Sequence, residues 1–328
     1  MSGGKVRSWL VGAALAALMC SAGCAPQPAP PAAATMPPQA SDAPVVNAPA
    51  ALPSSTPTIP PALPTPTVPP TLPTPTLRPT LGADGWKDLP VIPTVSQTAR
   101  EIYAQGKNLG RQPQAFSKVG DCESRTVWFL GDFDLGPQYY NLGPYAALQD
   151  TVDYYQGSFG RLSQVARPGF TVASMLSPLW ADRKECEPNE SPLACEYRQH
   201  NPALALISVG TNDVARPDGF EKNLRAVIEQ TIEAGIVPVL ATKADNLEGN
   251  HHLNATIARL ALEYDLPLWN FWRAVQDLPG QGLQEDRAHL TWSPNDYADT
   301  ANLKRAWPVR NLTALQVLDA LRQELSAD

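Results

Sequence analysis

Long apolar runs are scarce in this chain. Beyond the first ~24 residues nothing approaches the about 20 consecutive apolar residues that a membrane-spanning helix needs, so no internal span is expected. Basic charge is also short. Lys and Arg number 25 against 32 Asp and Glu, and the formal net charge of −7 falls almost entirely on the C-terminal part. With no basic patch or stripe, nucleic acid is not an expected partner. No Cys/His pair has zinc-type spacing and no glycine loop of the phosphate-cradling kind occurs, so neither metal nor cofactor is expected. Cysteine is limited to five residues.

Proline is abundant: 35 residues, more than half of them between Ala25 and about Leu81. This stretch, with units such as LPTPTVPPTLPTPT, has almost no charge and no hydrophobic periodicity. It cannot bury enough apolar surface to offset ordering entropy. A polyproline II segment of this length reaches on the order of 150 Å when extended. Residues 25–85 therefore read as a Pro/Thr-rich linker, either a stalk with O-glycosylated threonines or a neutral spacer. Residues 1–24 read as a secretion signal, with Lys5 and Arg7, an apolar stretch from Trp9 to Met19, and Ser21-Ala22-Gly23-Cys24. Small residues before a cysteine suit a lipoprotein signal peptidase, which would leave Cys24 acylated. A plain signal peptide or an N-terminal anchor are the other readings. The lipid reading places the protein outside the cytoplasm, anchored to a bacterial membrane or cell surface through Cys24.

Residues 86–328 are expected to form one domain. Cys186 and Cys195 flank the polar loop EPNESPLA and are expected to pair in an exported protein. Cys122 is then the odd thiol. Short apolar runs predict strands at 114–120 and 202–210, each ending in glycine, and at 236–243 and 266–272. Phe220, Leu224, Val227, Ile228 and Ile232 predict a helix capped by Asp218 and closed by Gly235. Leu253, Ile257, Leu260 and Ala261 predict another, and Leu312 to Leu325 a last one. Such alternation means a parallel sheet covered on both faces. Ligands bind such sheets beyond the carboxyl ends of the strands. Cys122, Thr211-Asn212-Asp213, and Asp286 with His289 are all expected there.

These residues are the parts of an acyl-transfer site. Cys122 would be the nucleophile, His289 its base and Asp286 the orienter of the imidazole. Asn212 and backbone N–H groups of glycine turns would hold an oxyanion. Each residue also has an ordinary reading: a surface Asp-His pair, turn chemistry, a small buried cysteine.

The arrangement resembles the SGNH/GDSL hydrolase family. VGDC (119–122) is similar to its first block, ARPGFT (166–171) to its glycine block, VGTND (209–213) to Gly-x-Asn-Asp and DRAHL (286–290) to Asp-x-x-His-Leu. The resemblance spans about residues 114–325. It implies a flavodoxin-like α/β three-layer sandwich with a central parallel sheet. It also implies a triad of Cys122, His289 and Asp286, with Cys122, Gly169 and Asn212 as oxyanion donors, and esterase, lipase or carbohydrate deacetylase activity. Two departures stand out. Family members carry Ser where this chain has Cys122, and Ser124 lies past the turn that would aim it. A long aromatic and glycine-rich segment also follows the first block, as a wall near the site or a packed insertion. An enzyme acting on a small or carbohydrate ester and a non-cleaving module that binds carbohydrate or cell-wall polymer both remain open. Of the other side chains, His251-His252 read as a loop or helix start, His200 as structural, and Trp269 and Trp272 as core.

Overall fold

The computed structural model describes residues 82 and 84–326. The signal segment with Cys24 and nearly all of the Pro-rich linker lie outside the described residues. Four parallel strands form the main sheet: β1 (Gln112–Gly120), β3 (Pro202–Ser208), β4 (Val237–Ala241) and β5 (Leu268–Trp269). Their order is β1-β3-β4-β5. Two short strands, β2 (Tyr140–Asn141) and β6 (Asn295–Asp296), pair in parallel apart from it. A parallel bridge between Gly120 and Ala166 adds a fifth segment on the free side of β1. The resulting order, with the 166 segment outside β1 and then β3, β4 and β5, is the 2-1-3-4-5 order of flavodoxin-like sheets.

Alternation along β1 assigns the two helical layers, because successive side chains point to opposite faces. Ser117 Oγ donates to Glu196 Oε1 at 2.6 Å, on the helix Pro192–His200. Tyr197 of that helix meets Thr231 of the helix Phe220–Glu233 at 2.9 Å. Lys118 points the other way and donates to the carbonyl of Phe159 at 2.7 Å. On that face Phe129 stacks on Trp269, and Trp269 Nε1 donates to Thr313 of the helix Ala306–Leu325 at 3.1 Å. The sheet is thus the middle of three layers, and its strands are apolar on both faces, as burial on both sides requires. Among the described residues no helix is long and apolar enough to cross a membrane.

Two local expectations are corrected. Asp218 does not cap the helix: Pro217 starts a 3-10 turn, Pro217–Gly219, and Gly219 precedes the helix with no side-chain cap. Residues 266–272 hold only the two-residue strand β5. Asn270 ends it, its Oδ1 accepting from Thr242 Oγ1 at 3.0 Å and from Arg273 N, and a short helix follows. The aromatic insertion packs its inner side into the core through Phe129, Phe133, Leu148 and Tyr155. Its outer side, with β6, borders a groove of about 800 Å³ lined by Gln138, Tyr139, Tyr140, Gln149 and Asp296.

Candidate functional site

One row of residues crosses the sheet at its carboxyl edge. Ala166, Gly120, Ser208, Ala241 and Trp269 are aligned neighbours. Cys122, Gly169 and Asn212 each lie two to four residues beyond this row. Gly120 ends β1 in a crowded place: a Cβ there would lie 2.2 Å from Ser124 Oγ and 2.4 Å from the Ser208 carbonyl. The chain then turns into one helical turn, Cys122–Arg125, capped by Asp121, whose Oδ1 accepts from Glu123 N at 3.0 Å. Cys122 is partly exposed at the head of this turn and takes no part in a disulfide. Ser124 points inward, 1% exposed, and its hydroxyl has no hydrogen-bond partner. Cys122 thus heads the turn while Ser124 faces the interior.

Asp286 and His289 lie together on a turn. His289 Nδ1 is 2.6 Å from Asp286 Oδ2, and Asp286 Oδ1 accepts from the backbone N–H of Ala288 and His289, each at 3.0 Å. Partial burial would raise the Asp286 carboxyl, but the hydrogen bonds from the His289 ring and these two amides outweigh it and hold the group at about 2. An ionised Asp286 on Nδ1–H makes Nε2 the basic nitrogen of the ring. The turn is closed by Gln284, whose N–H donates to the His289 carbonyl at 2.8 Å and whose Nε2 donates to the Leu290 carbonyl at 2.8 Å. One further bond joins this turn to the Cys122 turn: Leu290 N donates to Glu123 Oε1 at 3.2 Å.

Gly169 has φ +76, and a Cβ would meet nothing within 4 Å. Its glycine is required by backbone conformation, which aims the peptide N–H, and not by crowding. Asn212 follows Gly210 (φ +118) in the turn Thr211–Ala215. Asn212 Nδ2 donates to the Phe170 carbonyl at 3.1 Å, and Asp213 Oδ1 accepts from Val172 N at 3.1 Å. These two bonds tie the Asn212 turn to the Gly169 turn and leave the second N–H of the Asn212 amide for a ligand. Thr211 Oγ1 donates to Asp245 Oδ2 at 2.7 Å, and Lys243 Nζ holds Asp245 Oδ1 at 2.7 Å and Glu248 Oε2 at 2.6 Å. A buried lysine-carboxylate cluster thus underpins the Asn212 turn.

Cys186 and Cys195 form the expected disulfide. Their sulfurs and Glu190 lie close enough to suggest a metal site, but sulfurs joined to each other cannot serve as thiolate ligands. His200 is structural, bonding the Phe116 carbonyl at 3.1 Å, and a helix begins at His252. Trp269 is fully buried, while Trp272 is only partly so and packs edge-on against Trp86 and His251.

No protein-family model and no curated protein matches the chain. Among solved structures the chain is similar to a GDSL-like lipase from Bacteroides thetaiotaomicron, with 17% identity, a TM-score of 0.40, and 68% of this chain and 98% of that chain covered. It is similar to a psychrotrophic esterase from Pseudoalteromonas sp., with 18% identity, a TM-score of 0.40, and 65% and 99% covered. It is also similar to a catalytic mutant of an acetylxylan esterase from Geobacillus stearothermophilus, with 15% identity, a TM-score of 0.38, and 62% and 93% covered.

Sequence reasoning passed over Glu123 and Arg310. Arg310 is 2% exposed, yet its guanidinium binds Glu123 Oε2 at 2.8 Å and Ser208 Oγ at 3.0 Å. It lies 4.5 Å from the Phe129 ring centre and 5.5 Å from that of Trp307. Burial lifts the Glu123 carboxyl to about 7 and that of Asp121 to about 6, with Arg310 pulling both down. Burial likewise lifts Asp213 to about 6, against the hydrogen bond from Val172 N–H. The sequence did carry one signal: Arg310-Asn311 sits among Trp307, Val309, Leu312 and Leu315 in the first half of the 306–325 helix, where a charge needs a buried partner.

Proposed function

We propose that the domain hydrolyses ester bonds by acyl transfer through Cys122, as an SGNH/GDSL-type hydrolase with sulfur in the nucleophile position. The observation that carries this is the His289–Asp286 pair at 2.6 Å, on a turn whose next residue, Leu290, bonds to the residue after Cys122. Cys122 Sγ attacks the ester carbonyl and its proton passes to His289 Nε2. The N–H groups of Cys122 and Gly169 and the Asn212 amide hold the oxyanion. The C–O bond breaks, His289 protonates the leaving alkoxide, and a thioester remains on Cys122. Water then gives its proton to His289 and attacks the thioester, and the acid leaves as the thiol is restored. No step calls on a metal or cofactor.

A carbohydrate ester is the favoured substrate class, because exposed Trp180 packs on Phe170, beside Gly169, and exposed Trp292 lies three residues after His289, and both offer flat faces to sugar rings. The same faces favour a second reading, a module that binds carbohydrate or cell-wall polymer without cleaving it. In either case the protein acts outside the cytoplasm, tethered by lipid on Cys24. The support is the leader ending in Ser21-Ala22-Gly23-Cys24 and the Cys186–Cys195 disulfide, which suits an oxidising compartment. Membrane fractionation of Cys24→Ala tests the tether: release into the soluble fraction is expected, and retention refutes it.

The activity is tested with the full chain on p-nitrophenyl acetate, following product and intact mass. Turnover with a transient acetyl adduct, lost in Cys122→Ala and in His289→Ala, is expected. An inert native chain whose Cys122→Ser variant turns over would favour the binding module.

A further inference from the structure

The bonds around Glu123 join segments that are remote in sequence. Glu123 follows Cys122 directly. Its Oε1 accepts from Leu290 N, the residue directly after His289, at 3.2 Å. Its Oε2 is held by Arg310 Nη1 at 2.8 Å. Arg310 Nη2 donates to Ser208 Oγ at 3.0 Å, at the end of the strand that leads into Asn212. The guanidinium itself is fixed, 2% exposed and set against the rings of Phe129, Trp269, Phe271 and Trp307. One carboxylate-guanidinium pair therefore touches the three segments that carry Cys122, His289 and Asn212.

We propose that Glu123, clamped by Arg310, is the positioning residue of the site: its carboxylate fixes the His289 turn against the Cys122 turn. Asp286 orients the imidazole within its own turn. The Glu123–Leu290 bond ties that turn to the Cys122 turn. A charged acceptor bound to a backbone N–H is among the stronger hydrogen bonds, and the aromatic enclosure of Arg310 screens the pair little. The proposal rests on Cys122 and His289 acting together, as set out above.

The test uses the full chain with Glu123→Ala, Glu123→Gln, His289→Ala and the native protein. Alkylation of Cys122 by iodoacetamide at pH 7 is followed by peptide mass, beside kcat and KM for p-nitrophenyl acetate. Both Glu123 variants strand Arg310 and lower the unfolding midpoint together, but only Gln keeps an acceptor for Leu290 N. Glu123→Ala is expected to slow alkylation roughly tenfold, toward His289→Ala, and to lower kcat by about a hundredfold with KM little changed. Glu123→Gln is expected to stay within about threefold of the native rate in both assays, since its amide oxygen still accepts from Leu290 N. Equal losses in the Ala and Gln variants would mean a purely structural ion pair and overturn the proposal. Native-rate alkylation in Glu123→Ala, with His289→Ala slowed, would also overturn it and leave the Cys-His reading standing. Unchanged alkylation in His289→Ala would bring down both.

Discussion

Replacing Arg310 with Met removes the guanidinium and keeps most of the side-chain volume. Glu123 is then left with Leu290 N–H, and its carboxyl, already lifted to about 7 by burial against the pull of Arg310, rises further. A carboxyl raised in the fold holds a proton that the unfolded chain releases. Its contribution to stability is present at low pH and is lost as pH climbs from the unfolded value of 4.5 to the folded one. In the native protein that loss is complete near pH 7 and amounts to about 3 kcal/mol. In Arg310→Met it continues through pH 8 and 9, at up to about 1.4 kcal/mol per pH unit. At pH 6 the variant lacks the bonds to Ser208 and to the protonated Glu123 carboxyl and the ring contacts, about 2 kcal/mol together. At pH 9 the deficit approaches about 4 kcal/mol, the usual cost of stranding a buried charge. Asp121 lies under the same guanidinium and adds a smaller slope between pH 6 and 8. Urea unfolding at pH 6, 7, 8 and 9 would measure this for the native chain, Arg310→Met, and Arg310→Met with Glu123→Gln. A deficit equal at pH 6 and pH 9, or a slope undiminished in the double variant, would refute the reasoning.

Ser124→Ala deletes a buried hydroxyl that has no partner, so it should stabilise the fold by about 1 kcal/mol and leave ester turnover intact. Lost turnover in a stably folded Ser124→Ala would instead make Ser124 the nucleophile. Gly169→Ala forces a side chain into the φ +76 conformation, at about 1–2 kcal/mol in an unfolding assay. Its kcat should fall about a hundredfold or more as the N–H proposed to hold the oxyanion turns away, and an unchanged kcat would remove Gly169 from the site. Asp245→Asn weakens the hold on Thr211 while Lys243 keeps Glu248, so a loss of about 1–3 kcal/mol is expected. Its kcat should fall more than KM rises, since the Asn212 turn is displaced; an effect on KM alone would separate the Lys243 cluster from the oxyanion site.

What was legible in the sequence was local. Strands β1, β3 and β4 announce themselves as apolar runs, and their carboxyl ends place Cys122 and Asn212 at one edge. The Asp286–His289 pair is three residues apart and needs only one turn. Strand β5 was overdrawn because Trp269, Phe271 and Trp272 look alike as apolar residues, while the turn is made by Asn270 through bonds to Thr242 and Arg273. Asp218 failed as a cap because Pro217 fixes the chain one turn too early. The Glu123–Arg310 bond joins residues 187 apart, and no periodicity encodes such a partner. Only a charge set among apolar residues in the first half of the 306–325 helix hinted that one existed.

The carboxylates around Cys122 bear on how sulfur would work as the proposed nucleophile. Asp121 caps the Cys122 turn, Glu123 follows it, and each carries negative charge above pH 6 and 7 respectively. Negative charge beside a thiol opposes its ionisation. A thiolate waiting beside a charged imidazole is therefore disfavoured, and the proton leaves Sγ for His289 as the carbonyl is attacked. A hydroxyl needs the same transfer, so this site asks of Cys122 what it would ask of Ser. Cys122→Ser is accordingly expected to retain turnover within about a hundredfold of the native chain, the scale of one general-base contribution. Both forms should show a normal solvent deuterium isotope effect on kcat, since a proton is in flight in each. Iodoacetamide labelling of native Cys122 should fall steadily as pH is lowered from 8 to 5. Labelling that stays constant down to pH 5, with an inert Cys122→Ser, would mean a standing thiolate and an electrostatic role for Asp121 and Glu123 opposite to the one argued.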